Sequence, residues 1–239
     1  SSSSTYCSSS TNITKAVPTS FINTEDDHNV VKPPVSPIGW VSDSSAVWLS
    51  DGWDIWQVAV GGGTGTNLTV DGKKNEVRYR RRFVIDRDER GIDVTKPQYV
   101  GSYGEWTKKA GIVRLNPGTP GVDALVWDDA SYTRLMKPKG AAVFVYTRET
   151  DQAPPDYYVA DLALKGARKL TSVDAQQKAF NWSAGARLVD YTVTLGKGAK
   201  PQKLQAALFL KSQGIERVRS LRGGVEAWAV TIDPAMPRY

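Results

Sequence analysis

Short β-type runs that alternate with turn residues are the feature that most restricts the fold of this 239-residue chain. Residues 38–41, 46–49 and 54–60 have strand-forming side chains, and Ser/Asp/Gly clusters at 42–45 and 50–52 separate them. Such clusters form turns, because their side chains bond the nearby backbone and glycine allows positive φ. The stretch therefore predicts antiparallel strands joined by tight turns.

The same order of features returns farther along the chain. Residues 141–147 and 157–162 are again strand-like, and a glycine-containing break then precedes a Leu-Thr dipeptide. The two Leu-Thr dipeptides, at 68–69 and 170–171, lie 102 residues apart, which is about twice the length of a usual propeller blade. These quasi-repeats predict a mainly β fold, a partial β-propeller of four-stranded blades.

The aromatic and charge composition agrees with a β protein of no marked affinity for nucleic acid. The chain has eight Trp and ten Tyr against five Phe, and Trp and Tyr suit half-buried sheet surfaces. The formal net charge of +6 is mild and spread along the chain. We therefore expect weak attraction to polyanions and no specific nucleic-acid partner.

Two local motifs resemble phosphate-binding segments, and a structural interpretation is favoured for each. The basic run at 78–82 (RYRRR) is followed at once by Asp86, Asp88 and Glu89, which favours an internally paired hairpin. The glycine-rich run at 61–65 lacks the Lys-Ser/Thr pair and the helix of a phosphate loop. It is interpreted as a hairpin connection.

Composition divides the chain into three segments. Residues 1–23 are Ser/Thr-rich with little to bury, so a disordered tail is expected there. Residues 24–195 carry the strand pattern and form the predicted propeller segment. Residues 203–213 then show a helical stripe, followed by a short strand and a helical turn. Residues 196–239 are therefore predicted to form a short C-terminal α/β fragment.

Five motifs within residues 24–195 resemble the propeller of bacterial serine peptidases of the prolyl oligopeptidase family. They are residues 33–40 (PPVSPIGW), 49–56 (LSDGWDIW), 103–109 (YGEWTKK), 156–161 (DYYVAD) and 180–192 (FNWSAGARLVDYT). The resemblance implies a segment that breaks no bonds. It would cap an active site, restrict access to short or unstructured peptides and help to bind them. In that family an α/β-hydrolase domain carries the catalytic Ser, Asp and His.

No catalytic residue is expected in this chain itself. Serine hydrolysis needs a nucleophile, a base and a group that orients the base. The chain has no Gly-x-Ser-x-Gly elbow, and its one histidine, His28, lies between acidic residues and prolines. No cofactor or metal site is expected either, since the doublets at 26–27 and 128–129 are carboxylates without His or Cys companions.

The end of the chain resembles a different family. Residues 210–228 (LKSQGIERVRSLRGGVEAW) and 231–239 (TIDPAMPRY) are similar to the C-terminal end of a rhodanese domain. The resemblance implies a degenerate active-site loop whose cysteine position falls on Gly196 or Lys197, with Gly198 and Lys200 in the same basic loop. The only cysteine, Cys7, is nearly 190 residues away.

Three functional interpretations remain open from the sequence. The first is a non-catalytic propeller module that binds peptides or a protein partner through Trp53, Trp56, Trp106 and Tyr157, although these aromatic residues would equally suit packing between blades. The second is the propeller piece of a peptidase that is active only with a missing hydrolase domain. The third is an inactive rhodanese-like remnant, or a fusion chain with no independent function.

The expected partners are peptides or a hydrolase domain. An open propeller arc exposes faces that further blades would cover, so self-association through open edges is also expected. No run approaches the length of a membrane span, and the first ten residues lack the basic and apolar regions of a signal peptide. The compartment is left open.

Because the rhodanese-like loop lacks a thiolate, we expect no transfer of sulfur from thiosulfate to cyanide. The measurement is thiocyanate formation by the full chain, with Cys7→Ala as the control. Turnover above that control would contradict the prediction.

Overall fold

Antiparallel β-sheet forms nearly all of the regular structure in a computed structural model of the chain, which describes residues 10–26, 31–173, 175, 188–193, 200 and 202–207. Within these residues the only helix is α1 (Gly72–Asn75), and no helix is long and apolar enough to cross a membrane. The mainly β fold class is confirmed, with four-stranded antiparallel sheets that are propeller-like.

The chain divides into two compact units. The first comprises Ser1–Asp26, Val31–Glu149 and Pro155–Thr171, and the second comprises Asp27–Val30, Thr150–Pro154 and Ser172–Tyr239.

Three four-stranded sheets are meanders, in which strands that follow one another in sequence are also neighbours in space. Sheet 1 contains β1 (Gly39–Trp40), β2 (Ala46–Ser50), β3 (Ile55–Ala59) and β4 (Thr66–Asn67). Sheet 2 contains β5 (Val77–Phe83), β6 (Gln98–Gly104), β7 (Ala110–Asn116) and β8 (Thr119–Asp128). Sheet 3 contains β9 (Leu135–Met136), β10 (Val143–Thr150), β11 (Ala153–Asp161) and β12 (Arg168–Lys169).

Aspartate side chains close the turns of sheet 1. Asp43 Oδ1 accepts the Ser45 amide at 2.9 Å, and Asp51 Oδ1 accepts the amides of Trp53 and Asp54 at 2.9 and 2.8 Å. These bonds are the local side-chain-to-backbone contacts that Asp favours in turns. The turns predicted from the Ser/Asp/Gly clusters are confirmed.

The three sheets pack face to face in chain order. One hydrophobic cluster joins sheets 1 and 2 and contains Ile55 and Val100, and a second joins sheets 2 and 3 and contains Ile112 and Phe144. All four of these side chains are 0% exposed. Successive residues of a strand point to opposite faces, so the middle sheet contributes alternate residues to two cores.

A β-bulge in β5 changes which face its side chains reach. Tyr79 belongs to the core shared with sheet 1, whereas Phe83 belongs to the core shared with sheet 3. Regular alternation would place both residues on one face. The register with β6 shifts between Tyr79 and Arg82, and this irregularity moves Phe83 to the other face.

The segment before β1 covers the outer face of sheet 1. Ile13, Val17 and Phe21 pack with Val47 and Val58, and Val17 is only 7% exposed. The expected disordered tail is therefore wrong for residues 10–23, because burial of these apolar side chains on sheet 1 offsets the cost of ordering the segment. Residues 1–9 lie outside the part of the chain that the structure describes.

The charged insertion between β5 and β6 also reaches the core. Ile92 is 1% exposed and pairs in parallel with Val41. The Ile92 amide donates to the Trp40 carbonyl at 2.7 Å, and the Ser42 amide donates to the Ile92 carbonyl at 3.0 Å. The insertion thus links sheet 2 to the first strand of sheet 1.

A buried pair, which we call the Asp–Thr clasp, closes sheets 1 and 3. The Thr69 hydroxyl donates to Asp54 Oδ1 at 2.6 Å and accepts the amide that follows Asp54 at 3.0 Å. The Thr171 hydroxyl donates to Asp156 Oδ1 at 2.6 Å and accepts the amide that follows Asp156 at 2.9 Å. Equivalent residues of the two clasps are 102 positions apart, so the repeated Leu-Thr dipeptide marks a repeated hydrogen-bond arrangement.

The second unit contains a hairpin of β13 (Leu188–Val193) and β14 (Gln202–Ala207), paired from Leu188 with Ala207 to Val193 with Gln202. The helix predicted from residue 203 is wrong over 203–207, because pairing with β13 satisfies the backbone groups that a helix would otherwise bond internally. The remainder of that predicted helix, and the rhodanese-like residues 210–239, lie outside the described residues.

Removal of the Thr69 hydroxyl tests the clasp. In Thr69→Val the Asp54 carboxylate and the Ile55 amide lose a buried partner, so the free energy of unfolding should fall by about 1–3 kcal/mol. Thr64→Val, in an exposed loop, should change it by less than about 0.5 kcal/mol. Urea unfolding measures both, and equal effects would contradict a stabilising role of the clasp.

Candidate binding surface

Two turns and one connection meet at one end of sheets 1 and 2. The β4–β5 connection contacts the β6–β7 turn, where the Glu105 amide donates to the Glu76 carbonyl at 2.9 Å, and β5 contacts the β2–β3 turn, where the Tyr79 amide donates to the Trp53 carbonyl at 2.9 Å. The side chains gathered there form what we call the aromatic surface. Its members are Trp53, Arg78, Arg80, Tyr103, Trp106 and Lys108.

Arg78 lies at the centre of this surface. Its guanidinium is 4.0 Å from the centre of the Trp53 ring, and its Nε donates to Glu105 Oε2 at 2.5 Å. One terminal nitrogen bonds Glu25, and the other donates to the Gly52 carbonyl at 3.3 Å. Since the side chain is only 15% exposed, these contacts fix its position and that of the ring beneath it.

The turn that precedes β3 explains the position of Trp53. Gly52 adopts φ +94°, a left-handed conformation that an L side chain rarely takes. Asp51 bonds the backbone on the far side of that glycine. Together these features turn the chain sharply and place Trp53 beside the start of β5.

Trp106 is oriented by a glutamate from the connection between sheets. Its indole Nε1 donates to Glu76 Oε1 at 2.8 Å. Glu76 caps the C-terminus of α1 with φ 55°, and residue 72 must be small there, because a Cβ on Gly72 would lie 2.7 Å from the Trp53 carbonyl oxygen. The connection therefore positions both tryptophans.

Ion pairing keeps the central carboxylate charged. The hydrogen bond from Arg78 lowers the pKa of Glu105 despite partial burial, and the charges of Arg78, Lys108 and Arg80 act in the same direction. Burial opposes the charge on Arg78, but its hydrogen bonds to Glu105 and Glu25 outweigh burial and raise the pKa of Arg78. Both groups are ionised at neutral pH.

The four predicted contact residues fall in three places. Trp53 and Trp106 are half-buried and lie on the aromatic surface. Trp56 packs on the core under the N-terminal segment and donates through Nε1 to Asp51 Oδ2 at 2.9 Å, so its role is structural. Tyr157 is half-buried on β11, and its amide takes part in the clasp of sheet 3.

Sequence reasoning missed Arg78 and Tyr103 as members of the surface. The internal pairing predicted for residues 78–82 is confirmed for Arg82, which bonds Glu89, whereas Arg78 bonds Glu25 and Glu105 from other segments. What the sequence did not show is that the pairing also holds a tryptophan ring. The pattern YGEWTKK around Tyr103 was a signal for this, because it combines aromatic and charged residues in one turn.

The sequence also singled out a degenerate rhodanese loop, one histidine and a carboxylate doublet. Gly196, Lys197 and Gly198 of the degenerate rhodanese loop lie outside the described residues, as does His28. Lys200 is described and exposed. Asp128 accepts a hydrogen bond from Tyr132 at 2.7 Å and pairs with Arg148 at 2.9 Å.

A cleft of about 320 Å³ lies between sheets 1 and 2, lined by Trp48, Leu68, Val94 and the β7–β8 turn. Its lysine is neutralised locally, because Lys96 pairs with Asp93 at 2.9 Å. Hydrogen bonds from Thr95 and then Lys96 lower the pKa of Asp93 to about 2. The lining also includes Gln57, Gln98 and Asn116, which are already bonded to Trp48, Arg82 and Asp123 respectively.

Comparison with known proteins gives likenesses to solved structures. No protein-family model matches the chain, and no curated protein matches it. A solved structure from a structural and mechanistic analysis of two prolyl endopeptidases aligns with a TM-score of 0.44 and 14% identity. The alignment covers 77% of this chain and spans 28% of the other. At these values it assigns no activity, and the β fold rests on the strand pairings above.

Neutralising Glu105 tests the ion pair at the centre of the surface. Glu105→Gln should lower the free energy of unfolding at neutral pH by about 1 kcal/mol, since the pair is partly exposed. Because the folded pKa of Glu105 is lowered, this stability is present above the ordinary value of 4.5 and is lost as pH falls through the folded pKa.

The measurement is urea unfolding of the wild type and Glu105→Gln across the acid range. The difference between the two proteins should shrink below pH 4.5, the ordinary carboxyl value. Asp129→Asn, at a carboxylate whose side chain is 82% exposed, is the control and should show little difference at any pH. A pH-independent effect of Glu105→Gln would contradict the proposed pairing.

Proposed function

We propose that this chain is a non-catalytic, propeller-type binding module that holds unstructured peptides at the aromatic surface. The observation that carries the proposal is the environment of the Trp53 and Tyr103 side chains. Both are half-buried, and neither belongs to the three hydrophobic clusters formed by the described residues. Arginine side chains contact both rings, so these aromatics are held in place while part of each ring faces solvent.

Aromatic residues fixed in this way suit the binding of flexible chains. A ring that is already immobile loses little entropy when a peptide packs against it. Trp, Tyr and Arg are the residue types that contribute most energy to interfaces. The hydrogen bond from Trp106 to Glu76 adds a second oriented indole beside the first.

The resemblance to prolyl-oligopeptidase-type propellers adds a biological setting to this proposal. In a peptidase of that type, such a segment would restrict access to short or unstructured peptides and help to hold them. Proteolysis would need a hydrolase domain in addition, because this sequence has no Gly-x-Ser-x-Gly elbow and only one histidine.

Fluorescence anisotropy with labelled, unstructured dodecapeptides tests the proposal. Trp53→Ala and Trp106→Ala should each weaken binding about tenfold, as loss of a central aromatic residue does at other interfaces. Trp40→Ala is the matched control, because Trp40 is 55% exposed and lies on β1, away from the aromatic surface. Its affinity should match that of the wild type.

Two results would overturn the proposal. One is the absence of binding by the wild type at millimolar peptide. The other is an equal loss of affinity in Trp40→Ala, Trp53→Ala and Trp106→Ala, which would show that binding does not depend on the aromatic surface.

A further inference from the structure

Two cations share one aromatic ring at the edge of the aromatic surface. The Arg80 guanidinium is 4.2 Å from the centre of the Tyr103 ring, and Lys108 Nζ is 5.9 Å from the same centre. Both distances lie within the range of cation–π attraction. Each cation would attract an anion that approached the ring, because both carry a positive charge.

The carboxylates nearby are committed elsewhere. Arg78 Nε pairs with Glu105 Oε2 at 2.5 Å, and Arg78 also pairs with Glu25. Lys108 is left 3.9 Å from Glu105 Oε1, at the limit of an ion pair, and its hydrogen bond goes to the Glu105 backbone oxygen. Arg80 is exposed and forms no ion pair among the described residues, although its charge contributes to the lowered pKa of Glu105.

We propose that Arg80, Lys108 and Tyr103 form a carboxylate subsite of the aromatic surface. A bound peptide would place there either an acidic side chain or its C-terminal carboxylate. The inference rests on the proposed function and names the chemical class of peptide that the surface prefers.

The geometry of Arg80 suits this role. Its guanidinium contacts the face of the Tyr103 ring, and a stacked guanidinium keeps its in-plane N–H groups available for a carboxylate. Such charge-assisted pairs are about twice as strong as neutral hydrogen bonds. The strand fixes the base of the side chain, since Arg80 lies two residues after Arg78, which is directly opposite Tyr103 in β6.

The subsite fits one carboxylate better than a polyanion. Of the other arginines in β5, Arg78 and Arg82 are paired with glutamates, and Arg81 donates to the Thr133 carbonyl at 2.7 Å. A nucleic acid requires a row of cations that face successive phosphates. Within β5, Arg80 is the arginine that makes neither an ion pair nor a hydrogen bond with the described residues.

Four labelled dodecapeptides of otherwise identical sequence separate the two sources of carboxylate. One has a central Glu and an amidated C-terminus, one has a central Gln and a free C-terminus, one has both carboxylates, and one has neither. Anisotropy titrations give the dissociation constants. At least one carboxylate should lower the dissociation constant about fivefold to tenfold relative to the neutral peptide. The peptide that binds more tightly shows whether the side-chain or the C-terminal carboxylate occupies the subsite.

Variants of the cations assign the effect to the subsite. Arg80→Gln should abolish the preference, so that the acidic and the neutral peptide bind with equal dissociation constants. Arg80→Lys keeps the charge without the planar donor pair and should retain part of the preference. Arg90→Gln, at an exposed arginine in the β5–β6 insertion, removes the same charge elsewhere and is the matched control.

The outcomes distinguish this inference from the proposed function. If all four peptides bind alike, or if Arg80→Gln and Arg90→Gln reduce the preference equally, the carboxylate subsite is wrong and peptide binding stands. If no peptide binds, both proposals fail. If an oligothymidine competes with the acidic peptide through Arg80 at lower concentration than free peptide does, the subsite serves polyanions and the inference is overturned.

Discussion

The burial of sheet 2 on both faces is the constraint on which the rest of the first unit depends. Its strands must supply apolar side chains to two cores, and Val100 and Ile112 do so with no exposure at all. Strand alternation alone would not distribute the large aromatics of β5 between both cores, so the bulge after Tyr79 is required to turn Phe83 to the side of sheet 3. A register slip in this sheet would expose both cores at once.

The same hydrogen-bond arrangement follows the last strand of sheet 1 and the last strand of sheet 3. The Asp–Thr clasp buries a carboxylate, which is costly unless its oxygens are bonded. Asp54 gains the Gly72 amide at 2.9 Å as a further donor, whereas Asp156 gains Lys169 at 2.6 Å. The bonds that repeat are those of the threonine hydroxyl, whereas the second donor comes from different positions, since Gly72 follows Thr69 and Lys169 precedes Thr171. The repeated bonds explain why the threonine recurs in the sequence.

The sequence predicted what local chemistry determines and missed what distant contacts determine. Strands, turns and the repeat at Thr69 are encoded within a few residues, and the structure contains them. The N-terminal segment was misinterpreted because its serines and threonines outnumber the apolar residues that pack on sheet 1. Trp53 was identified as a candidate contact, but its support by Arg78 depends on Glu25 and Glu105, which lie 53 and 27 residues from Arg78. A local sequence pattern cannot predict a pairing between residues so far apart in the chain.

The position of the aromatic surface follows from how the sheets use their other surfaces. Packing occupies the facing sides of the sheets, and strand pairing occupies most backbone groups, so loop ends are where side chains remain available. There Arg78 and Arg80, two of the four arginines of β5, differ in one respect. Arg78 pairs with two carboxylates and stabilises the surrounding turns, while Arg80, two residues later on the same strand, contacts an aromatic ring and forms no ion pair within the described chain. The first arrangement gives rigidity, and the second leaves the charge that we propose pairs with a peptide carboxylate.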